Sequence, residues 1–271
     1  MKTTVVVCPW GAFGSGGAAH GAEARADAVR ELLDDVRQER RPTRARVFRG
    51  QVRIEELTFD SPAALADWHK TARSSVRAAL NRGDFLIWLG GNHLSALPVY
   101  EELAAADAAV VQFDAHLDLY NLDDSKTELN HGNFLRHAER LPSIVNLGHR
   151  DLFLTPKSIH EFYEAVHSAA DLARDQTVIR SAIAEWAREA DRLFLDLDCD
   201  VLDPASFPAT AHPMPFGLSA LDLLNLLNAA WTPRVCGVGI SEFDPGRDRD
   251  ERSLQLLVWL IEWILLKRYE A

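Results

Sequence analysis

Three strand-like runs of this sequence each end in side chains that are typical ligands of divalent metal ions. The central run is followed by Asp114-Ala115-His116-Leu117-Asp118, the second by Asp198-Cys199-Asp200, and the third by Gly90-Gly91-Asn92-His93. The carboxyl ends of parallel strands meet at one edge of an α/β sheet, where such sheets bind their ligands. We therefore expect six candidate ligands to lie together, namely His93, Asp114, His116, Asp118, Asp198 and Asp200.

The spacing within two of these motifs favours a shared site. Alternate side chains of an extended segment lie on one face, so Asp114, His116 and Asp118 can converge on one point, and so can Asp198 and Asp200. Each motif alone is weak evidence, because acidic residues after a strand also serve as helix caps and turn formers. Crowding all six groups together without a cation is costly, however, and a mixed carboxylate and imidazole set suits two ions of the Mn²⁺ class.

Length and composition favour a globular protein with one domain. The chain has 271 residues, 47% hydrophobic and 25% charged, and we expect a single domain over residues 1–271. A formal charge of −11 argues against nucleic acid or an anionic membrane as a partner. Cys8, Cys199 and Cys236 are far apart and lie in or beside apolar runs, as buried reduced thiols do. With no signal-peptide pattern at the start, these features favour a cytoplasmic location.

Apolar runs alternate with amphipathic stretches, which predicts a three-layer αβα fold with a mainly parallel sheet of roughly eight strands. Strands are predicted over residues 3–8, 85–89, 108–113, 143–147, 192–197 and 235–240, with an edge strand within 41–59, a segment that contains Val47-Phe48 and Val52-Arg53-Ile54. Helices are predicted over residues 22–37, 62–81, 95–106, 157–173, 178–190, 219–229 and 252–269. The longest apolar stretch, 256–266, is too short to span a membrane and predicts a core-facing helix.

Residues 11–21 form a glycine-rich segment between the first predicted strand and the first helix. Segments of this kind can bind phosphate, but this one lacks Gly-Lys-Ser/Thr and a third glycine at the dinucleotide-binding position. We expect it instead to line the mouth of a substrate site, with His20 as a surface or turn residue.

In their order along the chain these motifs resemble the ureohydrolase superfamily, which comprises arginases, agmatinases, formiminoglutamases and other guanidino hydrolases. The glycine motif before His93 is similar to Gly-Gly-Asp-His, residues 114–118 match Asp-Ala-His-x-Asp, and residues 198–204 match Asp-x-Asp-x-x-Asp-Pro. Shorter similarities are found at residues 148–151, 208–210 and 241–245.

This resemblance implies an arginase-like fold, a homo-oligomer and two Mn²⁺ per chain. Two of the aspartates, Asp114 and Asp198, would bridge the ions. The first ion would be bound by His93, Asp114, Asp118 and Asp198, and the second by Asp114, His116, Asp198 and Asp200.

The resemblance also implies a reaction. A hydroxide between the two ions would attack the planar carbon of a guanidinium and release urea and an amine. Glu242 would orient the guanidinium, Asp118 would carry a proton to the departing amine, and His131, in a loop at the mouth of the site, would relay protons.

Some residues depart from the family pattern. Asn92 stands in place of the usual aspartate beside His93, and Leu94 follows, so one charge near the ligands is lost and metal affinity is expected to change. Phe153 stands where arginases have an acid for the α-amino group of their substrate, and the loop 120–127 is unlike theirs. We therefore expect a small cationic guanidino substrate, either agmatine, arginine or a peptidyl arginine.

Three alternatives remain open at this point. A formimino hydrolase would release formamide and would need a basic group near the mouth, which Lys126, Arg150, Arg247 or Arg249 offers. A deacetylase-like amidohydrolase needs one zinc and fewer ligands. A non-catalytic metal-binding protein would not need His131 and Glu242 in addition to all six ligands.

Overall fold

A computed structural model describes residues 2–59, 64–120 and 128–270 of the chain. Its centre is a sheet of eight strands that are all parallel, in the order β2-β1-β3-β8-β7-β4-β5-β6. The strands are β1 Thr3–Cys8, β2 Val52–Glu56, β3 Phe85–Gly90, β4 Ala109–Phe113, β5 Ser143–His149, β6 Ala165–Ser168, β7 Leu193–Asp198 and β8 Val235–Ser241. The helices are α1 Ala18–Gln38, α2 Leu65–Asn81, α3 Leu97–Ala105, α4 Pro156–His160, α5 Ala169–Glu189, α6 Ala220–Ala230 and α7 Arg252–Tyr269.

Helices cover both faces of the sheet, which confirms the predicted three-layer αβα architecture. One hydrophobic core joins one face to α1, α5, α6 and α7, and a second core joins the opposite face to α2, α3 and α4. Alternate residues of β1 divide between these cores, with Val5 and Val7 in the first and Val6 and Cys8 in the second. Strands β1, β3, β4 and β7 are buried at every position, which explains their continuous apolar runs.

One segment prediction was wrong, and another was right in part. The predicted helix 157–173 is instead the short helix α4, the edge strand β6 and the first residues of α5. Ser168 separates β6 from α5 because its hydroxyl caps the helix, and Asp171 completes the capping box. In the segment 41–59, Val52 to Ile54 do belong to an edge strand, but Val47 and Phe48 lie in a 3-10 helix, Arg44–Phe48.

Other predictions differ from the structure only at element ends or lie partly outside it. Helix α1 begins at Ala18, within the segment predicted as a loop, and a 3-10 turn, His93–Ala96, precedes α3. The start of the predicted helix 62–81 lies outside the described residues. Helix α7 packs its apolar face into the core, and none of the helices in the described part of the chain is long and apolar enough to cross a membrane.

Candidate active site

The site lies at the carboxyl ends of the four central strands, which are neighbours in the order β3, β8, β7 and β4. Strand β3 leads to His93, β4 leads to Asp114, β7 ends at Asp198, and β8 leads to Glu242. Because all four strands run parallel, these residues reach the same edge of the sheet. The six predicted ligands are therefore brought together, although they come from three separate parts of the sequence.

Two groups of ligand atoms share Asp114. His93, Asp114 and Asp118 form the first group, and Asp114, His116 and Asp200 form the second, with the ligand atoms of each group within 4.8 Å of one another. In the first group, His93 Nδ1 lies 2.7 Å from Asp118 Oδ2 and 3.1 Å from Asp114 Oδ2. In the second, His116 Nδ1 lies 2.9 Å from Asp200 Oδ2. This arrangement fits two cations with Asp114 between them.

Asp198 lies next to both groups but is a member of neither. Its Oδ2 atom is 3.2 Å from His93 Nδ1. Its Oδ1 atom accepts a hydrogen bond of 2.9 Å from the backbone N–H of Asp200. Asp198 thus lies beside His93 of the first group and is bonded to the backbone of Asp200 of the second.

Buried atoms without hydrogen-bond partners indicate that a cation fits here. His93 Nδ1, Asp114 Oδ2 and Asp118 Oδ2 are buried and make no hydrogen bond. Native proteins rarely leave such atoms unsatisfied. Burial and the nearby charge of Asp118 raise the pKa of Asp114 to about 7, and burial and Asp200 raise the pKa of Asp198. A bound divalent ion would satisfy these atoms and offset the repulsion between the carboxylates.

His93 is held by residues that the sequence motifs do not include. Its Nε2 atom lies 2.9 Å from Asp196 Oδ2, and the Tyr100 hydroxyl donates a hydrogen bond of 2.7 Å to the same oxygen. A carboxylate on one ring nitrogen fixes the imidazole orientation and leaves the other nitrogen for a metal. Asp196 lies two residues before Asp198 in the buried strand β7, so both side chains are on the same face of the sheet, and Asp196 contacts the ring nitrogen of His93 that the ligand group does not use.

Glu242 connects the metal groups to a cavity. The cavity measures about 240 Å³ and is lined by His93, His116, Asp118, Tyr120, Asn130, His131, Gly132, Asp198, Asp200, His212 and Glu242. Glu242 Oε1 accepts a hydrogen bond of 2.9 Å from the backbone N–H of His93 and lies 3.0 Å from His131 Nδ1. Burial acts to lower the pKa of His131, but the hydrogen bond and charge of Glu242 raise it above the ordinary value.

The backbone at two of these positions is strained. Asp118 has φ of 47° and Glu242 has φ of 59°, in the left-handed region that residues with a Cβ atom rarely adopt. Strain of this kind persists where the surrounding structure enforces it, and it is common at functional sites. Both side chains line the cavity.

The glycine-rich segment contacts two residues near the site, Asn92 and His131. The Asn92 side chain donates a hydrogen bond of 3.0 Å to the carbonyl of Ala12. A Cβ atom on Gly14 would lie 2.6 Å from the His131 ring, so glycine permits a close approach there. The segment therefore packs against His131, although none of its residues lines the cavity.

One cavity residue was missed in the sequence. His212 lines the cavity, and its ring centroid lies 5.1 Å from that of His131. In the sequence, the feature that pointed to His212 was the preceding segment Pro208-Ala209-Thr210, which is similar to the family. Residues 121–127 of the loop 120–127, including Lys126, lie outside the described residues.

Comparison with known proteins identifies the family. A model of the Arginase family matches residues 2–266. The chain belongs to the arginase family. Members of this family are hydrolases that act on C–N bonds of linear amidines, so the predicted enzyme class is confirmed at the level of the family.

Individual relatives of this arginase-family chain differ in activity. It is 26% identical to the agmatinase of Bacillus subtilis over 216 residues, 78% of this chain and 72% of that one. It is 31% identical to the formimidoylglutamase of Halalkalibacterium halodurans over 184 residues, 62% of this chain and 56% of that one. The crystal structure of arginase from Bacillus subtilis superposes with a TM-score of 0.81 at 19% identity, covering 98% of both chains. That structural likeness confirms the fold, whereas the roles of single residues stay predictions.

Proposed function

We propose that this arginase-family chain hydrolyses a guanidino C–N bond, releasing urea and an amine, with two Mn²⁺ ions bound by the six predicted ligands. The observation that carries the proposal is the sharing of Asp114 by two ligand groups beside a cavity that contains Glu242. Carboxylate and imidazole ligands suit Mn²⁺, and the three cysteines are free and outside the ligand groups. When bound, such a pair of ions supplies a water molecule acidic enough to react at neutral pH.

Glu242 is placed to orient the guanidinium. It is buried at the edge of the cavity, and the hydrogen bond from the His93 backbone holds one of its oxygens. A carboxylate can pair with a planar guanidinium through two parallel N–H···O contacts, which fixes both its position and its plane. The guanidinium carbon would then lie in the cavity that the candidate ligands also line.

Asp118 and His131 are placed to move protons. Hydrolysis adds water across the C–N bond, so one proton must reach the nitrogen that leaves as an amine. Asp118 lies in the first ligand group and lines the cavity, and His131 lies at the mouth of the cavity beside Glu242. In our proposal Asp118 carries the proton, and His131 relays protons between the cavity and solvent.

The surroundings of the cavity favour a substrate without a free α-carboxylate. The Arg150 guanidinium donates hydrogen bonds to the backbone carbonyls of Gly148, Asp200, Val201 and Met214, and Arg247 pairs with Asp244 at 3.2 Å. These arginines are therefore engaged elsewhere. Phe153, which is 90% exposed, offers no charge for an α-amino group. Agmatine or a peptidyl arginine fits better than free arginine.

Formimino hydrolysis is the second candidate, because a formimidoylglutamase is among the relatives. The name applies to that relative and not to this chain. The substrate of a formimidoylglutamase carries carboxylates, which need basic residues as partners. Arg150 and Arg247 are engaged, so two of the four basic residues that the sequence offered are not free to bind those carboxylates. Lys126 and Arg249 are the other basic residues that the sequence offered for this role.

A release assay separates the candidates. Mn²⁺-loaded protein is incubated with arginine, agmatine, guanidinobutyrate, guanidine and an arginine-containing peptide while urea is measured, and with formiminoglutamate while formamide is measured. We expect urea from agmatine or the peptide in excess of that from arginine. Formamide release without urea would contradict the guanidino proposal, and a protein that releases neither product would contradict both candidates.

A further inference from the structure

A fully buried arginine lies near the metal groups. Arg25 is on helix α1, has 0% exposure and is among the largest fully buried side chains of the described residues. Arginine is almost never completely buried without a charged partner, because removing the guanidinium from water is costly. Its position therefore calls for a compensating interaction.

The direct contacts of Arg25 are all with neutral groups. Its Nη2 atom donates a hydrogen bond to the carbonyl of Gly90, at the end of β3, and the Cys199 thiol lies near the guanidinium. The guanidinium carbon lies 5.7 Å from the centroid of the Phe243 ring. The Nε and Nη1 atoms make no hydrogen bond to the described residues. None of these groups carries a negative charge that would balance the guanidinium.

The charges that do act on Arg25 belong to the site. Burial lowers the pKa of Arg25 to about 10, while the carboxylates of Asp198 and Glu242 act to raise it, so the guanidinium is charged at neutral pH. Gly90, Cys199 and Phe243 are each close in sequence to a site residue, His93, Asp198 and Glu242 respectively. Arg25 thus lies beside the ends of β3, β7 and β8, and it is not among the residues that line the cavity.

A fixed positive charge at this place affects the site in two ways. It offsets the repulsion among the carboxylates when no cation is bound. It also repels divalent ions, and such repulsion is strong in a buried environment that water does not screen. Both effects weaken the net attraction of the site for metal.

We propose that Arg25 is a positioning residue that acts through Asp198 and Glu242: it stabilises the metal-free site and lowers its affinity for divalent ions. This inference rests on the proposed function, because it assumes that the six ligands bind metal. It adds a residue outside the ligand motifs that sets how tightly the metal is held.

The test compares Mn²⁺ affinity, measured by chelator competition, and the unfolding midpoint with and without Mn²⁺. Arg25→Met and Arg25→Gln remove the charge, and Arg25→Lys keeps it. Val29→Ala, one turn along the same buried face of α1, controls for a loss of core packing. We expect the two neutral variants to bind Mn²⁺ about tenfold more tightly and to show a larger midpoint increase with Mn²⁺ than the wild type. Arg25→Lys should stay within about threefold of the wild-type affinity, and Val29→Ala should lower both midpoints equally.

The outcomes are distinguishable. Unchanged or weaker Mn²⁺ binding in the neutral variants would overturn the inference, because Arg25 would then contribute only to core packing or to the structure at the end of β3. Neutral variants that fold only with Mn²⁺ would support it, whereas variants that fail to fold even with saturating Mn²⁺ would contradict it. If the wild-type protein itself binds no Mn²⁺, the proposed function fails rather than the inference about Arg25.

Discussion

Glu242 is the residue at which the metal groups and the cavity meet. Its carboxylate contacts the backbone of the candidate ligand His93 and the ring of His131, yet it belongs to neither ligand group. A residue in that position can bind substrate without binding metal. We therefore propose that Glu242 binds substrate and not metal, and a substitution of Glu242 alone can test this.

Glu242→Gln should retain both metal ions and lose most of the hydrolysis. Glutamine keeps the acceptor oxygen for the His93 backbone but removes the charge that pairs with a guanidinium. We expect turnover to fall by about 10²-fold or more, the scale for losing a positioned catalytic group, with metal content unchanged. Elemental analysis and urea release are the measurements, and an equal loss of metal would show that Glu242 acts on the metal site instead.

His131 gives the metal-free protein a predictable dependence on pH. Its pKa in the folded chain is raised by Glu242 above the unfolded value of about 6.5. The pair therefore contributes stability that is fully present below about pH 6.5 and is lost as pH rises through the folded pKa.

The measurement is the unfolding free energy of wild type minus that of His131→Gln, across pH, without metal. We expect this difference to decrease as pH rises above about 6.5. His160→Gln, at an exposed position, controls for the loss of an imidazole as such. A difference that stays flat or grows with pH would show that Glu242 does not stabilise the charged imidazole.

At the level of residues, the ligands were predictable and their supporting residues were not. Ligands at alternate positions after a strand, such as Asp114 and His116, can be recognised within one short segment of the sequence. His212 and Arg25 carry no such signal, because their importance depends on which distant residues they contact. A buried arginine on a helix and a loop histidine look ordinary until the fold places them beside the site.

The end of strand β3 shows how an element positions the site. The N–H of Gly91 bonds to the Cys8 carbonyl, and its own carbonyl accepts a bond from the N–H of Glu242. A Cβ atom on Gly91 would lie 2.0 Å from the carbonyl oxygen of Trp10, which is too close for any side chain. Glycine here lets β1, β3 and β8 end together.

Gly91→Ala should therefore move the turn that holds His93. We expect a loss of stability of about 1–3 kcal/mol, the range for overpacking a core, together with weaker Mn²⁺ binding. Gly16→Ala is the matched control, because a Cβ atom there has nothing within 4 Å. Denaturant unfolding and chelator competition measure both effects, and equal behaviour of the two variants would contradict this account of the turn.

Among the elements, the long buried strands were predicted nearly to the residue, whereas β6 was missed. Strand β6 has four residues, and all of them are half-buried at the sheet edge, so no continuous apolar run marks it. Its sequence lies between two helical patterns, which the periodicity joined into one predicted helix. The capping box at Ser168 was the local signal that separates them.

For the whole molecule, the metal site should couple to stability. The chain carries a net charge of −11, and several of its carboxylates lie together at the site. Chelation should lower the unfolding midpoint by roughly 5–10 °C at metal concentrations about 100 times the dissociation constant. Calorimetry with and without chelator measures this shift. Asp114→Asn should lose most of it, and a variant that keeps the full shift would exclude Asp114 as a shared ligand.

Some properties of the whole molecule stay predictions. The single domain over residues 1–271, the homo-oligomer and the cytoplasmic location were inferred from composition or resemblance. They depend on interactions beyond one chain or on cellular context, which neither motif spacing nor the fold of one chain determines. The family and its architecture, by contrast, followed from motifs that recur at the ends of buried strands.

Metal stoichiometry tests the central claim most directly. The protein is reconstituted with Mn²⁺, desalted and subjected to elemental analysis, with the double variant Asp114→Asn/Asp198→Asn as the control. We predict about two Mn per wild-type chain, because two ligand groups share Asp114, and less than one in the double variant. A single zinc ion per chain, retained in preference to Mn²⁺, would contradict the two-metal site and the hydrolysis proposed for it.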